Sequence, residues 1–299
     1  MSSEKPRSIL AVLKSIFSGS GKQPSSQGDV DSDAVSYLPE KMARQRDFFT
    51  IAPGVEMVFA HVPAGKFLMG TAPAQYPHNF AEEQPQHTVH LDAYWISKYP
   101  VTNQQYQVFV QATGHRAPTH WKNKAVSSLE EQHPVTYVSW HDAVAFCKWM
   151  SSTLGRPPVR LPTEAEWEKA ARGEDGRIYP WGNEAPDVRR CNFELSVNGP
   201  SPVGKYSPQG DSPYGCADMA GNVWEWVSDW FDSNYYSISP DANPRGPSSG
   251  SMCVLRGGSF DNNLDYVRTA YRNQGSPDYL SRYLGFRVVT SSIPTLLDF

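Results

Sequence analysis

At 299 residues the chain can bury a full core, as one large domain or two modest ones. Its formal net charge of -4 and pI near 6.1 leave no basic surplus, which removes the electrostatic case for nucleic-acid binding. Four widely spaced cysteines, Cys147, Cys191, Cys216 and Cys253, form no CxxC pair, and no secretion signal is read, so buried free thiols in a reducing, cytoplasmic setting are expected.

Residues 1–45 are rich in Ser, Gly, Gln, Asp and Pro and predict a flexible arm that cannot bury enough apolar area to fold. Within it, Ile9, Leu10, Val12, Leu13, Ile16 and Phe17 form an apolar patch too short to span a bilayer. A membrane-surface or partner-binding helix there is an alternative that is not favoured. A single domain is expected over 46–290, followed by a tail at 291–299. Residues 57–70 read as two strands about a Pro63-Ala64-Gly65 turn, a hairpin signal, and 87–96 as one further strand. Three helices have written starts, because Thr102 with Gln105, Ser139 with Asp142 and Thr163 with Glu166 have capping-box spacing. Gly114, Gly155 and Gly173 stop them.

Beyond Gly173 helical patterns vanish and turns dominate. Residues 223–227 alternate as a strand, with Trp224 and Trp226 on one face and Glu225 on the other. Short buried strands at 253–259 and 284–289 bracket a stretch in which neither period survives. That stretch mixes Asn, Asp, Ser and Arg with Tyr266, Tyr271, Tyr279 and Tyr283, the composition of adaptable recognition surfaces, although an ordinary irregular loop is equally compatible. Residues 259–285 contain no Lys, Glu, Met or Trp. The prediction is an α+β chain of short antiparallel sheets, two or three helices and long loops.

Several motifs occur in one order: Pro63-Ala64-Gly65 to Met69-Gly70, Pro100-Val101-Thr102-Asn103, Val138-Ser139-Trp140, Arg160-Leu161-Pro162-Thr163-Glu164, Gly221-Asn222-Val223-Trp224-Glu225-Trp226, Arg256-Gly257-Gly258-Ser259 and Gly285-Phe286-Arg287. In this the chain resembles the formylglycine-generating-enzyme-like (sulfatase-modifying factor) family over about residues 50–290. The resemblance implies a C-type-lectin-like fold of the formylglycine-generating-enzyme subclass. It also implies, for the oxidase members, two copper-binding cysteines after the Gly-Gly-Ser element. Asn262 and Val267 stand there, and the His-x3-His-x-Glu helix of the iron-dependent branch is missing, so neither copper nor iron is expected.

Within that family the chain resembles the variable proteins of diversity-generating retroelements, whose adenine-directed mutagenesis cannot produce Lys, Glu, Met or Trp. The resemblance implies a variable region at about 255–289 and a diversified ligand-binding role for Phe260, Asp261, Asn262, Asn263, Tyr266, Tyr271, Asn273, Tyr279, Ser281, Arg282 and Tyr283. Arg268, Ala270, Arg272, Pro277 and Asp278 are expected as scaffold between them. Exchanging Tyr271 and Tyr283 for Ala is expected to remove binding and spare stability. The family further implies a Ca²⁺ site from the side chains of Asp218 and Glu225 and the carbonyls of Gly221 and Val223, hard oxygen donors. The alternative is that Asp218 caps a turn and Glu225 pairs with Arg256 or Arg287. The chain is thus expected to be a binding protein for an unknown protein or other macromolecular ligand, and not an enzyme. The rival expectation is a metal-dependent, oxygen-using enzyme of the parent family.

Overall fold

The computed structural model describes residues 48–76, 80–154 and 158–293. The predicted arm at 1–45, Gly155 as a helix stop and the last six residues of the predicted tail lie outside the described residues.

Strand β1 (Phe48–Ala52) folds back on β2 (Val55–Val62), whose Val55, Met57 and Phe59 point inward while Glu56 and Val58 point out. The next two strands, β3 (Gly65–Met69) and β4 (His87–Leu91), pair with each other alone, Phe67 opposite Val89. The expected hairpin about Pro63-Ala64-Gly65 therefore does not pair: both edges of β2 are taken, one by β1 and the other by β5 (Tyr94–Ser97). The single strand expected over 87–96 is likewise two, because β4 and β5 serve different sheets.

The three helices are α1 (Asn103–Thr113), α2 (Trp140–Leu154) and α3 (Glu164–Arg172). Both halves of the capping box form at Thr102 with Gln105 and at Thr163 with Glu166. At α2, Ser139 N–H donates to the Asp142 carboxylate and Asp142 N–H to Ser139 Oγ. Gly114 closes α1 in the left-handed conformation at φ 74°. The short β6 (Val159–Arg160) joins the first sheet.

A second sheet carries the C-terminal third. Strand β7 (Trp224–Trp230) lies between β10 (Leu284–Phe286), which runs parallel to it, and β8 (Cys253–Arg256), antiparallel, with β9 (Asn273–Gly275) at the edge. The alternation expected in β7 is present. Trp224 and Trp226 enter the core shared with Tyr106, Phe146 and Phe286, while Glu225 enters the opposite side under Trp167. The last strand, β11 (Val289–Thr290), returns to the first sheet between β5 and β6. The arrangement is α+β, as expected. Among the described residues no helix is long and apolar enough to cross a membrane.

Candidate functional site

Helix α3 is buried on every side, although Glu164, Glu166, Glu168, Lys169 and Arg172 lie within it. Charged side chains are buried at such a cost that they require partners. Glu166 pairs with Arg160, Lys169 donates to the Pro63 and Gly65 carbonyls, and Arg172 pairs with Glu168, while the partners that Glu164 and Glu168 gain from the C-terminal third are Arg256 at the end of β8 and Arg272 beyond it. Arg256 donates through Nη2 to Glu168 at 2.6 Å and to the Thr269 carbonyl at 2.7 Å. Through Nη1 it donates to the carbonyls of Ala270 at 3.0 Å and Tyr271 at 2.6 Å. One guanidinium thus fixes three successive peptide groups. Arg268 forks onto Glu83 at 2.7 and 2.8 Å, and Arg272 onto Glu164 at 2.7 and 2.9 Å. Burial works against ionisation of Glu164, yet Arg272 and Arg256 beside it hold its carboxyl below the usual range.

Gly258 completes this anchoring. At φ +72°, a Cβ there would lie 2.8 Å from Val267 Cγ1 and 2.9 Å from the Tyr266 carbonyl, so a side chain would push the returning loop away. Asn262 Oδ1 accepts from both the backbone and hydroxyl of Ser259, closing the first turn. Between residues 268 and 272 the backbone is held by buried groups, whereas the turn at 259–265 also uses the side chains of Asp261, Asn262 and Asn263 as acceptors; Arg268, Ala270 and Arg272 are buried as expected of scaffold. Asp278 is exposed and only approaches His141, at 3.7 Å.

The expected binding positions divide. Asp261, Asn263 and Tyr279 are exposed, and Asn262, Tyr266, Asn273, Arg282 and Tyr283 are half-buried. Phe260, Tyr271 and Ser281 are buried, so three of the eleven residues expected to bind ligand do not lie at the surface. Phe260 lies beneath the Arg282 guanidinium at 4.9 Å and the Tyr283 ring at 5.2 Å. Tyr271 is packed among Tyr266, Phe80 and Trp224, with centroids 4.8, 5.1 and 5.9 Å away. The Ser281 carbonyl accepts from Tyr137 N–H, and its hydroxyl accepts from Tyr283 N–H. One aromatic patch runs from Phe80 through Tyr266 and Tyr271 to Trp224, and Phe260 with Tyr283 forms a second ring pair whose backbone is tied to it by Trp224 N–H donating to the Tyr283 carbonyl at 2.7 Å. Sequence reading missed Phe80, Glu83, Glu164 and Glu168. Phe80 has no patterned neighbours, and the carboxylates sit in positions that read as an ordinary polar helix face.

Asp218 and Glu225 share a second buried corner. Glu225 accepts from Arg287 Nε at 2.6 Å, from Arg287 Nη2 at 2.7 Å and from Trp167 Nε1 at 2.8 Å. Asp218 accepts from Gly204 N–H at 2.7 Å and occupies a left-handed turn, φ 55°. These are the turn-capping and ion-pair contacts of the alternative stated above. Two carboxylates nevertheless face one guanidinium, and burial pushes the Asp218 carboxyl up to about 6. Among the described residues no group of three or more His, Cys, Asp or Glu side chains is placed to hold a metal ion.

A model of the sulfatase-modifying factor enzyme 1-like domain matches residues 50–292. The chain is 37% identical to the formylglycine-generating enzyme of Streptomyces coelicolor, over 76% of this chain and 87% of that protein. Among solved structures, Treponema denticola variable protein 1 superposes with TM-score 0.68 at 27% identity, covering 82% of this chain and 98% of that one. PvdO from Pseudomonas aeruginosa superposes with TM-score 0.70 at 26% identity, covering 83% and 99%. The fold is the C-type-lectin-like one that the motifs implied. The expectation that the chain is not an enzyme is overturned, since relatives at this level of identity are formylglycine-generating enzymes.

Proposed function

We propose, from the premise that the chain belongs to the sulfatase-modifying factor enzyme 1-like family, that its C-terminal face is a diversified ligand-binding surface, as in a variable protein of a diversity-generating retroelement. The observation that carries this is the division of labour in residues 256–287. Buried arginines hold the backbone through carboxylates on other elements, while Asp261, Asn263, Tyr266, Asn273, Tyr279, Arg282 and Tyr283 remain at least partly exposed. Aromatic rings supply contact area and the polar side chains set its chemistry, which suits a protein or other macromolecular ligand. The test is to sequence the DNA flanking the gene. A near-copy of the codons for 255–289, carrying adenines at the exposed positions and lying beside a reverse transcriptase, is expected. Its absence overturns this reading.

Similarity to enzymes favours a second reading, oxygen-dependent chemistry on a thiol substrate at the same face. Stoichiometric copper or iron in the purified protein, with oxygen uptake on a cysteine-containing peptide, would select it.

A Ca²⁺ ion at the Asp218 corner belongs to the same proposal, because the buried Asp218 carboxylate, which accepts from Gly204 N–H, and the nearby backbone carbonyls are hard oxygen donors. Millimolar Ca²⁺ is expected to raise the melting temperature of chelator-treated protein, and an unchanged melt rejects the site. Four buried, unbridged thiols support placement in the cytoplasm. Neither nucleic acid nor membrane is required as a partner.

A further inference from the structure

We infer that a cleft of about 540 Å³ beside Phe80 is a subsite that takes an uncharged, extended peptide segment; the inference rests on the ligand-binding reading above. Its polar lining consists of the amides of Gln84, Gln86 and Asn234 and the hydroxyls of Ser233 and Ser237. No charged or aromatic side chain lines it. The Gln84 and Asn234 amides each offer a donor and an acceptor, matching a peptide group, Gln86 offers its amide oxygen, and each hydroxyl can serve either role. A charged guest would lose hydration without gaining a counter-charge, and a sugar would find no ring to stack on.

Both walls are built from the groups that anchor the variable segment. The first, residues 81–86, is fixed by Glu83, which is fully buried, receives the Arg268 fork and accepts from Thr71 Oγ1 at 2.7 Å. The second is the 3-10 turn Tyr235–Ser237 with the residues before it. Its Tyr236 hydroxyl reaches Glu164 at 3.3 Å and Glu168 at 3.4 Å, and the Arg272 guanidinium lies 4.2 Å from the Tyr236 ring centroid. Arg272 Nη1 then ties the walls together by donating to the Glu82 carbonyl at 2.8 Å and the Asp232 carbonyl at 3.2 Å. Gln86 is oriented by donating to the Gly70 carbonyl at 3.2 Å and to Gln75 at 3.1 Å.

The cleft therefore depends on Arg268 and Arg272, which are buried, and on none of the exposed variable side chains. It starts one residue from Phe80, the end of the aromatic patch nearest it. A ligand held in the cleft by its main chain would present neighbouring residues to a face that can change. Preorganised walls lower the cost of such binding.

The experiment follows the side-chain amide resonances of Gln84, Gln86 and Asn234 in the full chain while titrating an N-acetylated, C-amidated Ala-Ser-Ala-Ala peptide. Parallel titrations use the same peptide with Glu or Lys in place of Ser, and maltose. Saturable shifts with the neutral peptide are expected, with charged peptides roughly tenfold weaker or worse. The shifts should vanish in Ser237→Trp, which fills the cleft, or in the milder pair Gln84→Ala and Asn234→Ala if the first does not fold. They should persist in Tyr266→Ala with Tyr283→Ala. Silence up to about 20 mM peptide, far weaker than a millimolar site, overturns the inference, as do preference for maltose and shifts that survive filling of the cleft. The probe touches no variable side chain, so such a failure leaves the reading of the diversified face to its own DNA test.

Discussion

Tyr271 and Tyr283 show how one residue type takes two roles within a dozen positions. Tyr271 is buried in the main core against Trp224, and Tyr283 is half-buried at its margin. The expectation that both could be removed without loss of stability therefore splits. Tyr271→Ala should cost about 3–5 kcal/mol in urea denaturation, as for other large aromatic truncations. Tyr283→Ala should cost less than half as much, and equal losses would contradict the assignment. Asp229 gives a pH signature. Burial, with Glu164 nearby, pushes its carboxyl up to about 7. A carboxyl raised on folding holds a proton that the unfolded chain releases above about pH 4. Its contribution is thus full below that pH and is lost as pH rises through 7. His120 and His133, lowered chiefly by burial, act oppositely, costing stability as pH falls below their ordinary value. Asp229→Asn isolates the carboxyl. The decline in melting temperature from pH 5 to 8 should be shallower in the variant than in the parent chain, and parallel curves would refute the role.

At the scale of elements, what could be read from sequence was what local chemistry decides. The capping pairs at Thr102, Ser139 and Thr163 place the helix starts because they involve groups three residues apart. Strand pairing was not legible: β2 and β3 look like a hairpin until β1 and β5 occupy the two edges of β2. Strand β9 was missed because Asn273-Gln274-Gly275 has no strand propensity and pairs only because β8 offers its edge. The burial of α3 was hidden for a related reason. Its carboxylates look solvated until arginines arrive from far along the chain, Arg256 lying 88 positions from Glu168 and Arg272 108 from Glu164. Glu168→Gln should strip a charge from a fully buried pair and cost about 3–5 kcal/mol. Glu166→Gln pairs with Arg160, whose side chain is half exposed, so its loss should be much smaller. Comparable losses in the two variants would show that the buried network is not what secures the segment.

For the whole molecule, the family motifs place the fold, while the division of residues 256–287 into exposed and structural positions emerges only in three dimensions. Phe260, Tyr271 and Ser281 are buried because contacts from Arg282, Trp224 and Tyr137 close over or beside them, and no period in the sequence encodes those contacts. The central claim is that residues 256–287 keep one backbone while their exposed side chains are exchanged. The direct measurement is thermal denaturation of a panel in which Asp261, Asn263, Asn273 and Tyr279 are replaced together by varied residues, with Tyr271→Ala as reference. The account predicts melting temperatures within about 2–4 °C of the parent for the panel, the scale of a 1 kcal/mol change in a domain of this size, and a much larger drop for the reference. A panel that melts as low as Tyr271→Ala would contradict it.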